Sequence, residues 1–188
     1  MFEEKGYLIL KRLIPQVMCD YLAENIKLLE ADGPLSHGDE QVQESLATFA
    51  PVVTETLLDV LTPILSSAIS CELYPTYSYL RIYFKGAMLA RHIDRPSCEV
   101  SATICISSEG PRSWPLCLET VDGITEVELE PGDAVIYKGM EVPHWREEFK
   151  GDRQVQVFLH YVKRDGAYEE FKFDKRPHLS HHIAGRTH

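Results

Sequence analysis

Hydrophobic positions recur at helical spacing in the first third of the chain and at strand spacing in most of the rest. Residues 6–10 (GYLIL) form a short run rich in strand-forming side chains. Apolar residues then recur every three to four positions through 15–32, which predicts a helix. A second apolar stripe at helical spacing covers 44–70, where Pro51 and Pro63 are expected to split or kink the helix.

Short runs of aromatic and β-branched residues, separated by turn signals, dominate residues 73–162. The runs that predict strands are TYSYLRIYF, MLARHID, EVSATICIS, ITEVELE, AVIYKG and RQVQVFLHYV. Helices followed by many short strands are typical of a mainly β fold with two facing sheets. We therefore expect a β-sandwich or barrel over 73–162, with the helices of 15–32 and 44–70 packed outside against one sheet.

The length of the chain suits a single domain. Its 188 residues are enough to bury one substantial core. We expect residues 1–72 to supply the first strand and the helices, 73–162 the β core, and 163–188 a C-terminal tail. The tail ends in HLSHHIAGRTH, which we interpret as a flexible polar segment, with adventitious metal binding by its histidines as the alternative.

Charge, hydropathy and cysteine usage limit the partners and the compartment expected for the protein. The net charge is −10 and the sequence has no long basic run, which argues against a nucleic-acid or anionic-membrane surface. No apolar run approaches the ~20 residues of a membrane span. The five cysteines are scattered and form no CxxC, so we expect reduced thiols in a cytoplasmic protein. Nothing in the sequence indicates the oligomeric state.

Candidate metal ligands come from two of the predicted strand regions. His92 and Asp94 are two positions apart, so in an extended strand both side chains point to one face. His144 follows 50 residues after Asp94, in the segment VPHW. Two histidines and one carboxylate bind non-haem Fe(II) and leave three positions open, enough for a bidentate co-substrate and dioxygen. We expect the three side chains to converge, with His144 on a facing strand.

An arginine in the last predicted strand is the candidate for binding an anion. Arg153 shares a strand face with Val155, Val157 and Leu159, and a guanidinium at the end of such an apolar face needs a partner. A carboxylate fits, because the planar guanidinium binds it through two parallel hydrogen bonds. Three other arginines compete for this role: Arg81, Arg91 and Arg146. Tyr83 either donates its hydroxyl to the same ligand or belongs to an aromatic core cluster.

These segments, taken in order along the chain, resemble the Fe(II)/2-oxoglutarate-dependent dioxygenases of the prolyl-4-hydroxylase-like group. The resemblance is carried by GYLILKRLIPQVMCDYL, RIYFKGAMLARHID, PSCEVSATICIS, LEPGDAVIYKGMEVPHW and GDRQVQVF. It implies a double-stranded β-helix with Fe(II), 2-oxoglutarate as co-substrate and dioxygen. The residues it implies are His92, Asp94 and His144 for iron, Arg153 for the far carboxylate of 2-oxoglutarate, and Tyr83 and Thr103 in support.

The resemblance also implies a reaction, although it does not identify the substrate. The expected chemistry is hydroxylation of an unactivated C–H bond in a small molecule or peptide, with release of succinate and CO2. Related halogenases lack the carboxylate ligand, so the presence of Asp94 favours hydroxylation. The loop at 108–116 is expected to help select the substrate, but it matches no known pattern. Two alternatives remain open: a cupin-like metal enzyme that does not use 2-oxoglutarate, and a non-catalytic barrel that binds a small acid.

Overall fold

The computed structural model describes residues 2–33, 35–110 and 114–181, and within them the chain is mainly antiparallel β. The α-helices are α1 (Phe2–Lys5), α2 (Gln16–Asp32) and α3 (Val52–Ile69), and short 3₁₀ segments cover Pro96–Cys98 and Glu169–Lys175. The strands are β1 (Tyr7–Leu10), β2 (Ser36–His37), β3 (Ser45–Phe49), β4 (Leu73–Phe84), β5 (Leu89–His92), β6 (Val100–Glu109), β7 (Leu116–Thr120), β8 (Gly123–Val127), β9 (Ala134–Tyr137), β10 (His144–Arg146) and β11 (Arg153–Lys163).

The larger sheet has seven strands, in the order β1-β9-β6-β11-β4-β3-β2. Its long central strand β11 pairs antiparallel with β4 on one side and β6 on the other. Alternate side chains of β11, Val155, Val157 and Leu159, are fully buried in one cluster with residues of α2 and α3. The two long helices therefore cover one face of this sheet, and the main apolar core lies between them.

The smaller sheet has four strands, in the order β5-β10-β7-β8. A cavity between the sheets is lined by Tyr79 and Phe158 from the larger sheet and by His92 and His144 from the smaller one. The uncovered face of the larger sheet thus forms one wall of the barrel interior. The predicted fold class, a double-stranded β-helix with helices packed outside, is confirmed.

The region predicted as one kinked helix over 44–70 contains a strand and a helix. Strand β3 occupies Ser45–Phe49 and pairs with β4, and α3 begins at Val52. Pro51 is the N-cap of α3 with an extended backbone (φ −64°, ψ 143°), so the break falls at a residue that cannot donate a backbone hydrogen bond. Pro63, by contrast, lies inside α3 without ending it.

Helix α3 is long and apolar enough to be a membrane-span candidate by length and composition alone, with a mean hydropathy of 1.5. The sequence had been expected to contain no such segment. In the fold, α3 packs on β4 of the larger sheet and 44% of the helix is buried. Packing against the sheet therefore accounts for its apolar composition.

The segment after β11 is packed for most of its length, in contrast to the flexible tail that was predicted. The Arg176 guanidinium donates to the Glu55 carboxylate at 3.1 Å, and both side chains are almost completely buried. Near its end, the backbone N–H of Ser180 donates to the same carboxylate. Residues 182–188, which include His182 and His188, lie outside the described residues.

Candidate metal and co-substrate site

Two histidines and one aspartate converge at one end of the barrel interior. The donor atoms of His92, Asp94 and His144 all lie within 4.8 Å of one another. Oδ1 of Asp94 is 3.7 Å from Nε2 of His92 and 3.6 Å from Nε2 of His144. The structure thus brings together the three residues predicted as metal ligands, in a donor set that suits Fe(II).

The backbone fixes which nitrogen each imidazole offers. Nδ1–H of His92 donates to the Ala90 carbonyl at 2.8 Å, and Nδ1–H of His144 donates to the Val142 carbonyl at 2.9 Å. Each ring therefore presents an unprotonated Nε2 to the shared point, the state that a metal ligand requires. Burial, and then the neighbouring His144, lower the pKa of His92, which keeps that ring neutral.

The position of His144 differs from the prediction in one respect. It was expected on a strand facing His92, whereas β10 and β5 are neighbours in the smaller sheet and the two histidines are direct partners in the register. Their ring centroids are 4.3 Å apart. The three candidate ligands thus all come from the side of the smaller sheet, and the larger sheet forms the facing wall of the cavity.

Two hydrogen bonds restrain Asp94 on the side away from the histidines. The Ser101 hydroxyl donates to Oδ2 at 2.7 Å, and the Asp94 backbone N–H donates to the Gly139 carbonyl at 2.8 Å. A Cβ at Gly139 would lie 2.5 Å from Oδ2, so this position requires a glycine. Burial alone would raise the pKa of Asp94, but its interaction with the nearby His144 and the hydrogen bond from Ser101 hold it below its ordinary value. The carboxylate is therefore ionised and its Oδ1 is directed to the two histidines.

A second set of potential ligands shares Asp94. The donor atoms of Asp94, Cys98 and His160 also lie within 4.8 Å of one another. Burial raises the pKa of the Cys98 thiol far above its ordinary value, and the sulfur lies 3.1 Å from the Tyr77 hydroxyl. Cys98 therefore remains a protonated thiol, which binds metal poorly. The ligand set His92, Asp94 and His144 is the better one.

His160 lies in the cavity wall behind Asp94. Its Nδ1 is 3.0 Å from the Ser101 hydroxyl, which itself donates to Asp94. The larger sheet thus contributes a buried imidazole that supports the Asp94 carboxylate through Ser101. The signal in the sequence was strand alternation, since His160 and Phe158 share the face of β11 that lines the cavity.

The buried His160 leads to a prediction about pH and stability. Burial lowers the pKa of His160 to about 4, while an unfolded histidine titrates near ~6.5. Between these values the unfolded chain binds a proton that the folded chain does not, so stability falls as the pH falls. Urea unfolding of the metal-free protein should show about 2 kcal/mol of this loss between pH 8 and pH 5. His160→Gln should lose that part of the pH dependence, and equal pH profiles for the two proteins would contradict the assignment.

Arg153 does not reach the cavity. Its guanidinium donates to the Glu30 carboxylate of α2 at 2.9 Å, and Glu109 lies 3.7 Å away. The face of β11 that Arg153 shares with Val155 and Val157 packs on the helices, outside the barrel. Alternation correctly grouped these residues, but the shared face is the one opposite the cavity. The expectation that Arg153 points into the barrel is therefore wrong.

A fully buried arginine near the three candidate ligands is Arg146. It is 1% exposed, it stacks on Trp114 with 4.8 Å from its Cζ to the ring centroid, and Nη1 donates to the Trp114 carbonyl. Its Nε and Nη2 have no hydrogen-bond partner, and no carboxylate in the described part of the chain pairs with it. Burial lowers the pKa of this guanidinium, as expected for a cation without an anion. Its position two residues after His144 on one short strand was the signal, because alternation puts both side chains on one face.

Further unpartnered polar groups lie on the interior face of the larger sheet. The Tyr83 hydroxyl, the Thr103 hydroxyl and both polar atoms of the Gln156 amide are fully buried without a hydrogen-bond partner. The Tyr137 hydroxyl interacts with Thr103, but outside hydrogen-bond geometry. Buried polar groups are normally paired, so this cluster is suited to a polar ligand or ordered water. Two of its members, Tyr83 and Thr103, are the supporting residues that the sequence predicted.

The cavity that contains the three candidate ligands has a volume of about 630 Å³. Tyr83 and Leu116 line its inner part, and residues 38–41, from the loop between β2 and β3, line its opening. Arg146 lies just beyond the lining, within electrostatic reach of Tyr83. Most of the loop predicted to select substrate is described, but residues 111–113 lie outside the described residues.

Solved structures share this fold at low sequence identity. A prolyl-4-hydroxylase from Pseudomonas putida superposes with a TM-score of 0.70 at 19% identity, over 87% of this chain and 95% of that chain. HygX from Streptomyces hygroscopicus, solved with nickel and 2-oxoglutarate bound, has a TM-score of 0.67 at 12% identity over 85% and 84% of the two chains. The α-ketoglutarate-dependent epimerase SnoN from nogalamycin biosynthesis has a TM-score of 0.72 at 8% identity over 86% and 77%.

No protein-family model matches the chain, and no curated protein matches it in sequence. At identities of 8–19% the structural likeness establishes a common fold. The fold predicted from the resemblance to 2-oxoglutarate-dependent dioxygenases is therefore confirmed, and what this chain does has to be argued from its own residues.

Proposed function

We propose that this protein is an Fe(II)- and 2-oxoglutarate-dependent oxygenase that hydroxylates an unactivated C–H bond and releases succinate and CO2. The observation that carries the proposal is a three-donor metal set in the same barrel as a buried arginine that lacks an anion. A metal alone would satisfy the first feature and leave the second unexplained. A metal-chelating dicarboxylate satisfies both.

The metal would be held by Nε2 of His92, Nε2 of His144 and Oδ1 of Asp94. Such a facial set leaves three positions for a chelating co-substrate and dioxygen, and bound Fe(II) supplies the oxygen-activating chemistry. The chain's own part is to hold these donors rigid. Backbone carbonyls fix both imidazoles, and Ser101 and Gly139 restrain the carboxylate.

The far carboxylate of 2-oxoglutarate would pair with Arg146, whose Nε and Nη2 both lack partners. A guanidinium binds a carboxylate through two such N–H groups at once. Tyr83, Thr103 and Gln156 are buried on the neighbouring wall with unused hydrogen-bonding capacity, and they would orient the same ligand. Two other arginines, Arg81 and Arg95, line the cavity, but they already pair with Asp39 and Asp174. The missing anion is therefore assigned to Arg146.

The two rival functions fit the residues less well. A cupin-like enzyme that does not use 2-oxoglutarate has no need of a buried, unpaired Arg146. A non-catalytic barrel that binds a small acid has no need of two histidines whose tautomers are both fixed for a metal. The substrate class in this proposal is a small molecule or peptide, and the compartment is the cytoplasm.

Conversion of 2-oxoglutarate to succinate tests the proposal without knowledge of the prime substrate. The protein loaded with Fe(II) in air should form succinate slowly and in proportion to enzyme, because uncoupled turnover needs only metal, co-substrate and dioxygen. His144→Ala, which removes one metal ligand, is the matched control and should form none. Equal succinate formation by both proteins, or none by either, would overturn the proposal.

A further inference from the structure

An ion pair across the cavity wall is not used by the metal or the co-substrate. The Arg81 guanidinium on β4 donates to the Asp39 carboxylate in the loop between β2 and β3, and both residues line the cavity together with His92 and His144. Building on the proposed function, we infer that the prime substrate is a small zwitterion of the free amino acid type. Its carboxylate would bind Arg81 and its ammonium would bind Asp39.

The Arg81 guanidinium and the Asp39 carboxylate differ in burial and in their hydrogen bonds. Arg81 is 4% exposed, and its Nε has no hydrogen-bond partner even with Asp39 in place. Asp39 is 22% exposed, and its Oδ1 accepts hydrogen bonds from the backbone N–H groups of Gln41 and Val42 at 3.0 and 2.7 Å. Only Oδ2 faces Arg81. The loop therefore keeps its shape through Oδ1 if a ligand takes the place of Oδ2 at Arg81.

The charge balance of this pair selects the ligand. A buried or half-buried ion pair opens at low free-energy cost only if both charges are paired again. A simple anion would pair with Arg81 and leave Asp39 alone, and a simple cation would do the reverse. A molecule with both an ammonium and a carboxylate can insert between them and satisfy each. Internal residues of a peptide carry neither of these main-chain charges, so the free amino acid is favoured.

The surroundings set the size and the polarity of the remainder of the molecule. Tyr79 and Phe158 lie side by side on the cavity wall next to Arg81, with ring centroids 6.5 Å apart. The Cζ of Arg81 is 5.2 Å from the Tyr79 ring centroid. This wall fits an apolar or aromatic side chain. The cavity of about 630 Å³ also has to hold 2-oxoglutarate, so the remaining space suits a metabolite-sized molecule.

Binding to the Ni(II)- and 2-oxoglutarate-loaded protein, which does not turn over, tests the inference. The probes are the twenty free L-amino acids, their N-acetyl derivatives and their amides, read by ligand-observed NMR and calorimetry. At least one free amino acid should bind, and its N-acetyl and amide forms should bind roughly 30-fold more weakly or worse, because each leaves one buried charge unpaired. No binding by any free amino acid, or equal binding of a charge-neutralised form, would overturn the inference.

Variants separate this claim from the proposed function. Arg81→Gln should abolish amino acid binding and leave 2-oxoglutarate binding unchanged. The double variant Arg81→Gln with Asp39→Asn removes both charges, keeps the Oδ1 acceptor, and should fold even if the single variant does not. Arg91→Gln is the matched control, because Arg91 forms an exposed pair with Glu119 away from the cavity lining. If the wild-type protein does not bind 2-oxoglutarate, the proposed function is refuted. If the double variant still binds the amino acid, only the inference of a zwitterionic substrate is refuted.

Discussion

Replacing Arg146 by glutamine should weaken 2-oxoglutarate binding by about two to four decades. The guanidinium is 1% exposed and lacks an anion in the described chain, so the co-substrate would complete a buried charged pair. Breaking such a pair by removing one partner costs about 3–5 kcal/mol, which gives the stated loss of affinity. The measurement is calorimetric titration of 2-oxoglutarate into the Ni(II)-loaded protein. Nickel affinity should change little, since Arg146 is not a metal ligand.

The matched control for this variant is Arg153→Gln. Arg153 pairs with Glu30 on the helix side of the larger sheet, so its loss should affect the attachment of α2 and leave 2-oxoglutarate affinity unchanged. Arg81→Gln serves as a second comparison, because it removes a guanidinium that lines the cavity. If Arg146→Gln bound 2-oxoglutarate normally while Arg81→Gln did not, the co-substrate would have to be reassigned to Arg81, and the zwitterion inference would fail with it.

Replacing Asp94 by alanine should abolish 2-oxoglutarate turnover. Asp94 supplies the only carboxylate oxygen in the ligand set, and its Oδ1 lies within 3.7 Å of both histidine nitrogens. Without it, two neutral imidazoles would hold the dication, so we expect metal affinity to fall by more than the 10–100-fold typical of losing only a supporting residue. Succinate formation and a metal-binding titration measure the two effects.

A surface acid provides the control for the Asp94 variant. Asp122→Ala removes an exposed aspartate from the turn between β7 and β8, and both metal binding and turnover should stay at the wild-type level. Full turnover by Asp94→Ala with normal iron content would move the metal site elsewhere. Ser101→Ala removes only the hydrogen bond to Oδ2. Its metal affinity is expected to lie between those of Asp122→Ala and Asp94→Ala.

The convergence of the three candidate metal ligands could be predicted from sequence because their relation is partly local. His92 and Asp94 are two residues apart next to a strand, which already fixes their common direction. His144 lies 50 residues further along, but the order of strand segments placed it at the same barrel. The local pattern did not predict which sheet contains His144. In the structure, His144 lies directly opposite His92 on the neighbouring strand of the smaller sheet.

The prediction that Arg153 binds an anion shows the limit of strand alternation as a guide. Alternation groups Arg153 with Val155 and Val157, and groups Gln156 with Phe158 and His160, but it does not say which group faces the cavity. Both groups contain polar and apolar side chains, because the helix-covered face begins with an arginine. The packing of α2 and α3 decides the question, and that packing depends on contacts between residues over a hundred positions apart.

The ion pair between Arg81 and Asp39 lies beyond prediction from sequence for a similar reason. Asp39 lies in the loop between β2 and β3, 42 residues before its partner. Strand β3 carries the end of that loop to β4, and β3 was itself predicted as part of a helix. An error in one local element therefore concealed the contact on which the zwitterion inference rests.

The central claim is that one site binds both Fe(II) and 2-oxoglutarate, and anaerobic absorption spectroscopy tests it most directly. The chelate of 2-oxoglutarate on protein-bound Fe(II) should give a visible metal-to-ligand charge-transfer band that neither component gives alone. The band should saturate at one equivalent of iron, disappear in His144→Ala, and require far more 2-oxoglutarate in Arg146→Gln. The absence of a band from the wild-type protein with both components present would contradict the account.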